Sequence, residues 1–251
     1  MHYVQNLSSR TKILSIIFVT LITAILVAQL PNIPQSHVYH DFADHRSFFG
    51  IPNFFDVVSN VAFALAGLSG LFFLISHDAQ LQARNKFLFA VFFIGVTLTS
   101  GGSAYYHLAP DNERLVWDRL PMTIVAMSVV AIIVTERISI KAGLTMLFPL
   151  ISLGIGSVIY WQKIDDLRPY GFVQFFPMLL VPMLIAIFPV KNSSGAYLAY
   201  LVGFYLLAKL CEHFDPQIFA ITRGISGHTL KHVVASLGLF QVVLMIREKR
   251  T

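Results

Sequence analysis

Eight long apolar runs constrain this chain more than any other feature of it. They cover roughly residues 13–30, 54–76, 87–106, 116–135, 142–161, 171–189, 195–211 and 228–246. A helix of about 20 apolar residues crosses a hydrocarbon core about 30 Å thick. Only 12% of the residues are charged and 56% are hydrophobic, whereas a soluble domain carries about 25% charge. The predicted fold is therefore all-α, a polytopic membrane helix bundle. The first run has the basic flank of a signal peptide, Arg10 and Lys12, but it is long and is followed by "PNIPQ" instead of a small-residue cleavage site. It reads as a retained helix, so that residues 1–36 form an N-terminal transmembrane helix and linker ahead of one domain at 37–251. No repeat, low-complexity tract or long linker subdivides that domain.

Charge sets the expected orientation. If both ends lie on one side, that side gathers ten basic residues (Arg10, Lys12, Arg84, Lys86, Arg137, Lys141, Lys191, Arg247, Lys249 and Arg250) against Asp78, Glu136 and Glu248. The opposite loops hold five basic and eight acidic residues. The positive-inside rule then makes both termini cytoplasmic. A net charge of +5 spread over short loops is explained by topology, and nucleic acid is not an expected partner, because that would need a basic face. The single cysteine, Cys211, excludes an internal disulfide and a multi-cysteine metal cluster.

Within this topology, polar residues from three runs arrive at one depth. The third run ends at Ser103 and His107, the fourth begins with Asp118, and the eighth begins with His228 and His232. Ser103 and His107 are four residues apart, as are His228 and His232, so each pair lies on one helical face. Two histidines at that spacing can share one metal ion, and a third from another helix leaves a fourth position open, the pattern of catalytic zinc. The same residues are also compatible with hydrogen bonds to backbone or headgroups, with bridging between helices, or with a haem. Ionisable groups inside membrane spans are costly and usually functional, which favours the metal.

The fragments "SAYYH", "WDRLPM" and "HTLKH", with the aspartate eleven residues after the first histidine, resemble the alkaline ceramidase family. That family is part of a wider superfamily of membrane hydrolases that includes adiponectin-receptor-like proteins. The resemblance covers roughly residues 38–246, including "NFFDVVSN". It implies a seven-helix hydrolase core, to which residues 13–30 add one helix, with zinc on His107, His228 and His232, and active-site roles for Asp118 and Ser103. It implies a membrane-embedded lipid substrate, ceramide or another N-acyl lipid, cleaved at its amide bond. Animal members also bind calcium before the first core span. Asp41 and Asp44 fit such a cluster, and Asn53 stands where those members carry a glutamate. Arg46 is a poor neighbour for a cation there, and fewer carboxylates mean weaker calcium binding.

On this reading zinc lowers the pKa of its water to about 7, Asp118 moves the proton to the leaving amine, and Ser103 donates a hydrogen bond to the developing oxyanion. A serine nucleophile is the rival role, but no histidine remains as its base if all three hold metal. Glu212, His213 and Asp215 in "CEHFDPQ" read either as carboxylate support for the zinc histidines or as a plain loop. Lys209 reads as snorkelling or as paired with an acid, and "WQKIDDLRPYG" as a polar turn with no assigned task. Glycines such as Gly67, Gly70, Gly95, Gly101, Gly102, Gly154 and Gly156 permit close helix approach. The rival functions are an adiponectin-receptor-like receptor or sensor with a zinc site, a transporter, and a haem carrier. Short loops and no targeting signal suggest a bacterial inner membrane, with the site facing the periplasm.

Overall fold

The structure is a computed structural model that describes residues 7–76, 83–190 and 194–248. Asp78, Lys191, Lys249 and Arg250 of the charge argument lie outside those residues. Among the described residues the chain is helical without strands, and eight helical spans are long and apolar enough to cross a membrane. Each coincides with one of the eight apolar runs. The helices are α1 (Ser9–Gln29), α2 (Phe54–Val58), α3 (Val61–Ser76), α4 (Ala83–Leu108), α5 (Asn112–Arg137), α6 (Ile140–Ile164), α7 (Arg168–Ile187), α8 (Ser194–His213), α9 (Asp215–Thr222) and α10 (Gly227–Glu248).

Several helices reach a turn beyond their apolar run, because a polar side chain satisfies the first free N–H groups. Asp111 accepts from Arg114 N at 2.7 Å ahead of α5, and Ser139 accepts from Ala142 N at 3.1 Å ahead of α6. The second apolar run is one span in two pieces, α2 and α3. At the break, Asn60 Nδ2 and Ser59 Oγ both donate to Asp56 O, at 2.7 and 3.2 Å. Side chains that bond nearby carbonyls compete with helical hydrogen bonds, which interrupts the helix there.

Packing closes a ring α3–α4–α5–α7–α8–α10, with α10 returning to α3, and α6 lies outside against α5 and α7. Helix α5 is the hub: 72% of its most apolar stretch is buried, against 0% in α1. Helix α1 touches the ring through α7, and its exit is pinned by the turn that had no task in the sequence reading. Arg168 donates to Ala28 O and Leu30 O at 2.8 and 2.7 Å while gripping Asp166. Asp165 Oδ1 accepts from Gln35 N at 2.9 Å. Gln35 Oε1 accepts from Arg119, whose guanidinium lies 4.1 Å from the ring centre of Trp161 and 4.6 Å from that of Tyr170.

Candidate metal centre

Helices α4 and α5 form a tight hairpin, and its geometry depends on Gly102. A Cβ at that position would lie 2.1 Å from Trp117 O, so only glycine lets the two backbones meet there. The approach sets Ser103 near Asp118, with His107 one turn further along α4. Ser103 and Asp118 face a shared cavity, and the three side chains are 2%, 1% and 8% exposed.

Helix α10 supplies the other two histidines, and its start is held from three directions. Asp215 Oδ1 accepts from His228 N at 2.8 Å, while Asp215 Oδ2 accepts from Ala43 N at 2.9 Å. Asp56 Oδ1 accepts from the hydroxyls of Thr229 and Ser226 at 2.7 and 3.1 Å. Gly227 lets α10 begin against the end of α8, since a Cβ there would lie 2.2 Å from Cys211 O. These contacts fix the register that aims His228 and His232 inward.

The structure brings His107, His228 and His232 together, all buried, with their ligand atoms within 4.8 Å of one another. The ring centres are 4.7, 5.0 and 4.8 Å apart, and His107 Nε2 lies 3.1 Å from His228 Nε2. Tetrahedral nitrogens at about 2.0–2.1 Å from zinc sit about 3.3 Å apart, so the separation fits one shared ion. Ser59 Oγ lies 2.8 Å from His232 Nδ1 and leaves Nε2 to face the other rings. Such a contact on the far nitrogen orients a ligating imidazole. Phe42 packs 4.3 Å from the His228 ring centre and 4.8 Å from that of His107. Neutral imidazoles in an apolar enclosure with converging nitrogens are a donor set that suits zinc.

Beside the triad lies a cavity with ≈ 1110 Å³ of empty space, its solvent-open part included, bounded by Ser103, Asp118 and His232 together with apolar side chains of α5, α7, α8 and α10. Of the five residues expected from spacing, Ser103, Asp118 and His232 line this cavity, and the rings of His107 and His228 pack against His232. Of the "CEHFDPQ" group, Asp215 supports the backbone of His228 instead of an imidazole, His213 is exposed, and Glu212 pairs with Lys209 and Lys231.

The residues expected for calcium are placed differently. Asp44 is 2% exposed, and both its oxygens accept from Arg46, at 2.8 and 2.7 Å. Asp41 meets His45 at 3.2 Å in an exposed pair. Asn53 donates to His107 O at 2.9 Å, tying the loop to the histidine helix. The Arg46 hydrogen bonds outweigh the opposing effect of burial and hold the Asp44 carboxyl below the usual carboxylate range.

Asp56, Ser59 and Phe42 were not singled out by sequence reasoning as site residues. A signal for the first two existed, since an aspartate, a serine and an asparagine inside the apolar run at 54–76 are costly unless they serve a purpose. Compared with protein-family models and with curated proteins, the sequence matches none.

Proposed function

We propose that this protein is a zinc-dependent integral membrane hydrolase that cleaves the amide bond of ceramide or a similar N-acyl lipid. The observation that carries the reading is the buried triad of His107, His228 and His232, its ligand atoms within 4.8 Å, beside a largely apolar cavity that also receives Ser103 and Asp118. His107, His228 and His232 would hold the ion, which supplies a water acidified to a pKa of about 7. Asp118, buried next to Ser103, accepts the proton of the attacking water and delivers it to the amide nitrogen as the C–N bond breaks. Ser103 donates a hydrogen bond to the carbonyl oxygen as charge builds on it. The apolar walls bind the acyl chain and keep bulk water from the scissile bond. Both termini lie on the cytoplasmic side and the site toward the opposite one, as the charge asymmetry of the loops supports.

Metal analysis of detergent-purified protein tests this, with His107→Ala and His228→Ala beside wild type and Asp118→Ala as a folded control. The expected result is about one zinc per chain, lost in both histidine variants and kept in the control, with release of fatty acid from N-acyl lipids by wild type only. Folded wild type that takes up no zinc when it is supplied would end the hydrolase reading.

A further inference from the structure

The segment ahead of α2 makes a tight turn whose geometry and residues disagree. Phe48 N donates to Ile51 O at 3.2 Å and Ile51 N to Phe48 O at 2.9 Å, with φ of 54° at Phe49 and 77° at Gly50. Turns with positive φ at both central residues favour asparagine or glycine there, and a bulky side chain is strained. The strain gains no packing inside the protein, because Phe49 is 93% exposed. A phenylalanine held in a left-handed conformation and outside the core points to an apolar partner beyond the chain.

The tip is part of a larger surface. Phe48, Phe49, Phe54 and Phe55 pack ring to ring, with centres 5.3 to 5.9 Å apart. Arg46 lies over the rings of Phe48 and Phe55 and donates to Gly224 O at 2.6 Å, which joins the turn to the stretch before α10. That stretch adds Ile221 and Ile225, 83% and 45% exposed. Depth follows from the spans. Phe54 is the first residue of the second span, and the Phe49 ring centre is 5.9 Å from that of Phe54. The tip therefore lies where the span leaves the hydrocarbon, the level at which aromatic side chains gather in membrane proteins.

We propose that the Phe49 turn, with Ile221 and Ile225, is a wedge that enters the head-group level of the leaflet around the histidine end of the bundle. Its partner is the phospholipid of that leaflet, and the gain is removal of exposed apolar rings from water. Asn53, between the turn and α2, donates to His107 O at 2.9 Å, which ties the wedge to the histidine helix.

The test places a nitrobenzoxadiazole label on Phe49→Cys in a Cys211→Ser background, with the full chain in phosphatidylcholine nanodiscs at one copy per disc. Leu21→Cys in α1 and Lys163→Cys at the end of α6 serve as the lipid and water references. The Phe49→Cys label is expected to emit to the blue of the Lys163→Cys label and to lose the iodide quenching seen there. A lipid spin-labelled beside its head group should quench it more than one labelled at the chain end. Ile221→Cys should behave alike, and it is read instead if Phe49→Cys does not fold. Iodide quenching as strong as at Lys163→Cys would put the turn in water, open to a soluble partner, and would overturn the proposal. Protection from iodide without quenching by either lipid label would mean that protein covers the tip, and stronger quenching by the chain-end label would place it too deep; each overturns the proposal as well. None of these readouts needs hydrolysis, so the wedge and the hydrolase reading fail separately.

Discussion

Two clusters at the same end of the bundle bear on cation binding, and they differ in whether the protein has already supplied the cation. In the segment before α2, Asp44 is matched by its own Arg46 through two hydrogen bonds at 2.8 and 2.7 Å. In the centre between α4 and α10, the nearest partner of His107 Nε2 is another histidine nitrogen at 3.1 Å, and His107 Nδ1 has no hydrogen-bond partner among the described residues. Carboxylates beside a guanidinium form a finished ion pair. Converging imidazoles do not satisfy one another, because two neutral rings can share at most one proton between facing nitrogens. A group of potential ligands therefore points to an external ion only after the protein's own charges have been counted.

The comparison can be broken most severely at the histidines. His232→Ala should lower zinc from about one per chain to below about 0.1, measured by elemental analysis, because two ligands do not hold a catalytic ion. Asp118→Asn should keep the zinc and lower kcat by about 10²–10⁴-fold; loss of metal in that variant would mean that Asp118 supports the ion instead of the chemistry. Ser59→Ala removes the partner of His232 Nδ1 and should weaken zinc about 10- to 100-fold in a chelator competition. The smallest effect is expected at the other cluster. Arg46→Gln leaves the buried Asp44 carboxylate without its cation, at a cost of about 1–3 kcal/mol near pH 7. Because the Asp44 carboxyl titrates below its ordinary range when folded, its stabilisation is complete above the unfolded value of about 3.9 and is lost as pH falls through the lowered one. Thermal unfolding of wild type and variant should converge at low pH. Calcium restoring the variant's stability at pH 7 would show that the segment can hold a cation once Arg46 is gone.

The spans were legible because a bilayer imposes one length on every helix, and the apolar runs report that length directly. The histidine site was legible for a related reason: i, i+4 spacing and alternating direction through the membrane place residues at one depth without any tertiary detail. What joins them was hidden. The break between α2 and α3 lies inside a run read as continuous, and it arises from Asn60 and Ser59 bonding to Asp56 O, a competition that hydropathy does not register. Asp215 and Asp56 converge on the start of α10 from segments 13 and 170 residues away in the hydrogen-bonded pairs, and such distances have no signature in spacing. Lys231 stands near the start of the last apolar run, and spacing gives it no partner. Its meaning depends on Glu212 and Lys209 facing the same space, which only packing decides.

Burial also sets a route. His107, His228 and His232 are 1%, 3% and 2% exposed, and of the three His232 is the one that reaches the cavity wall. An ion held among them would exchange through that cavity and not across the outer surface, so small chelators should strip it sooner than bulky ones of equal affinity.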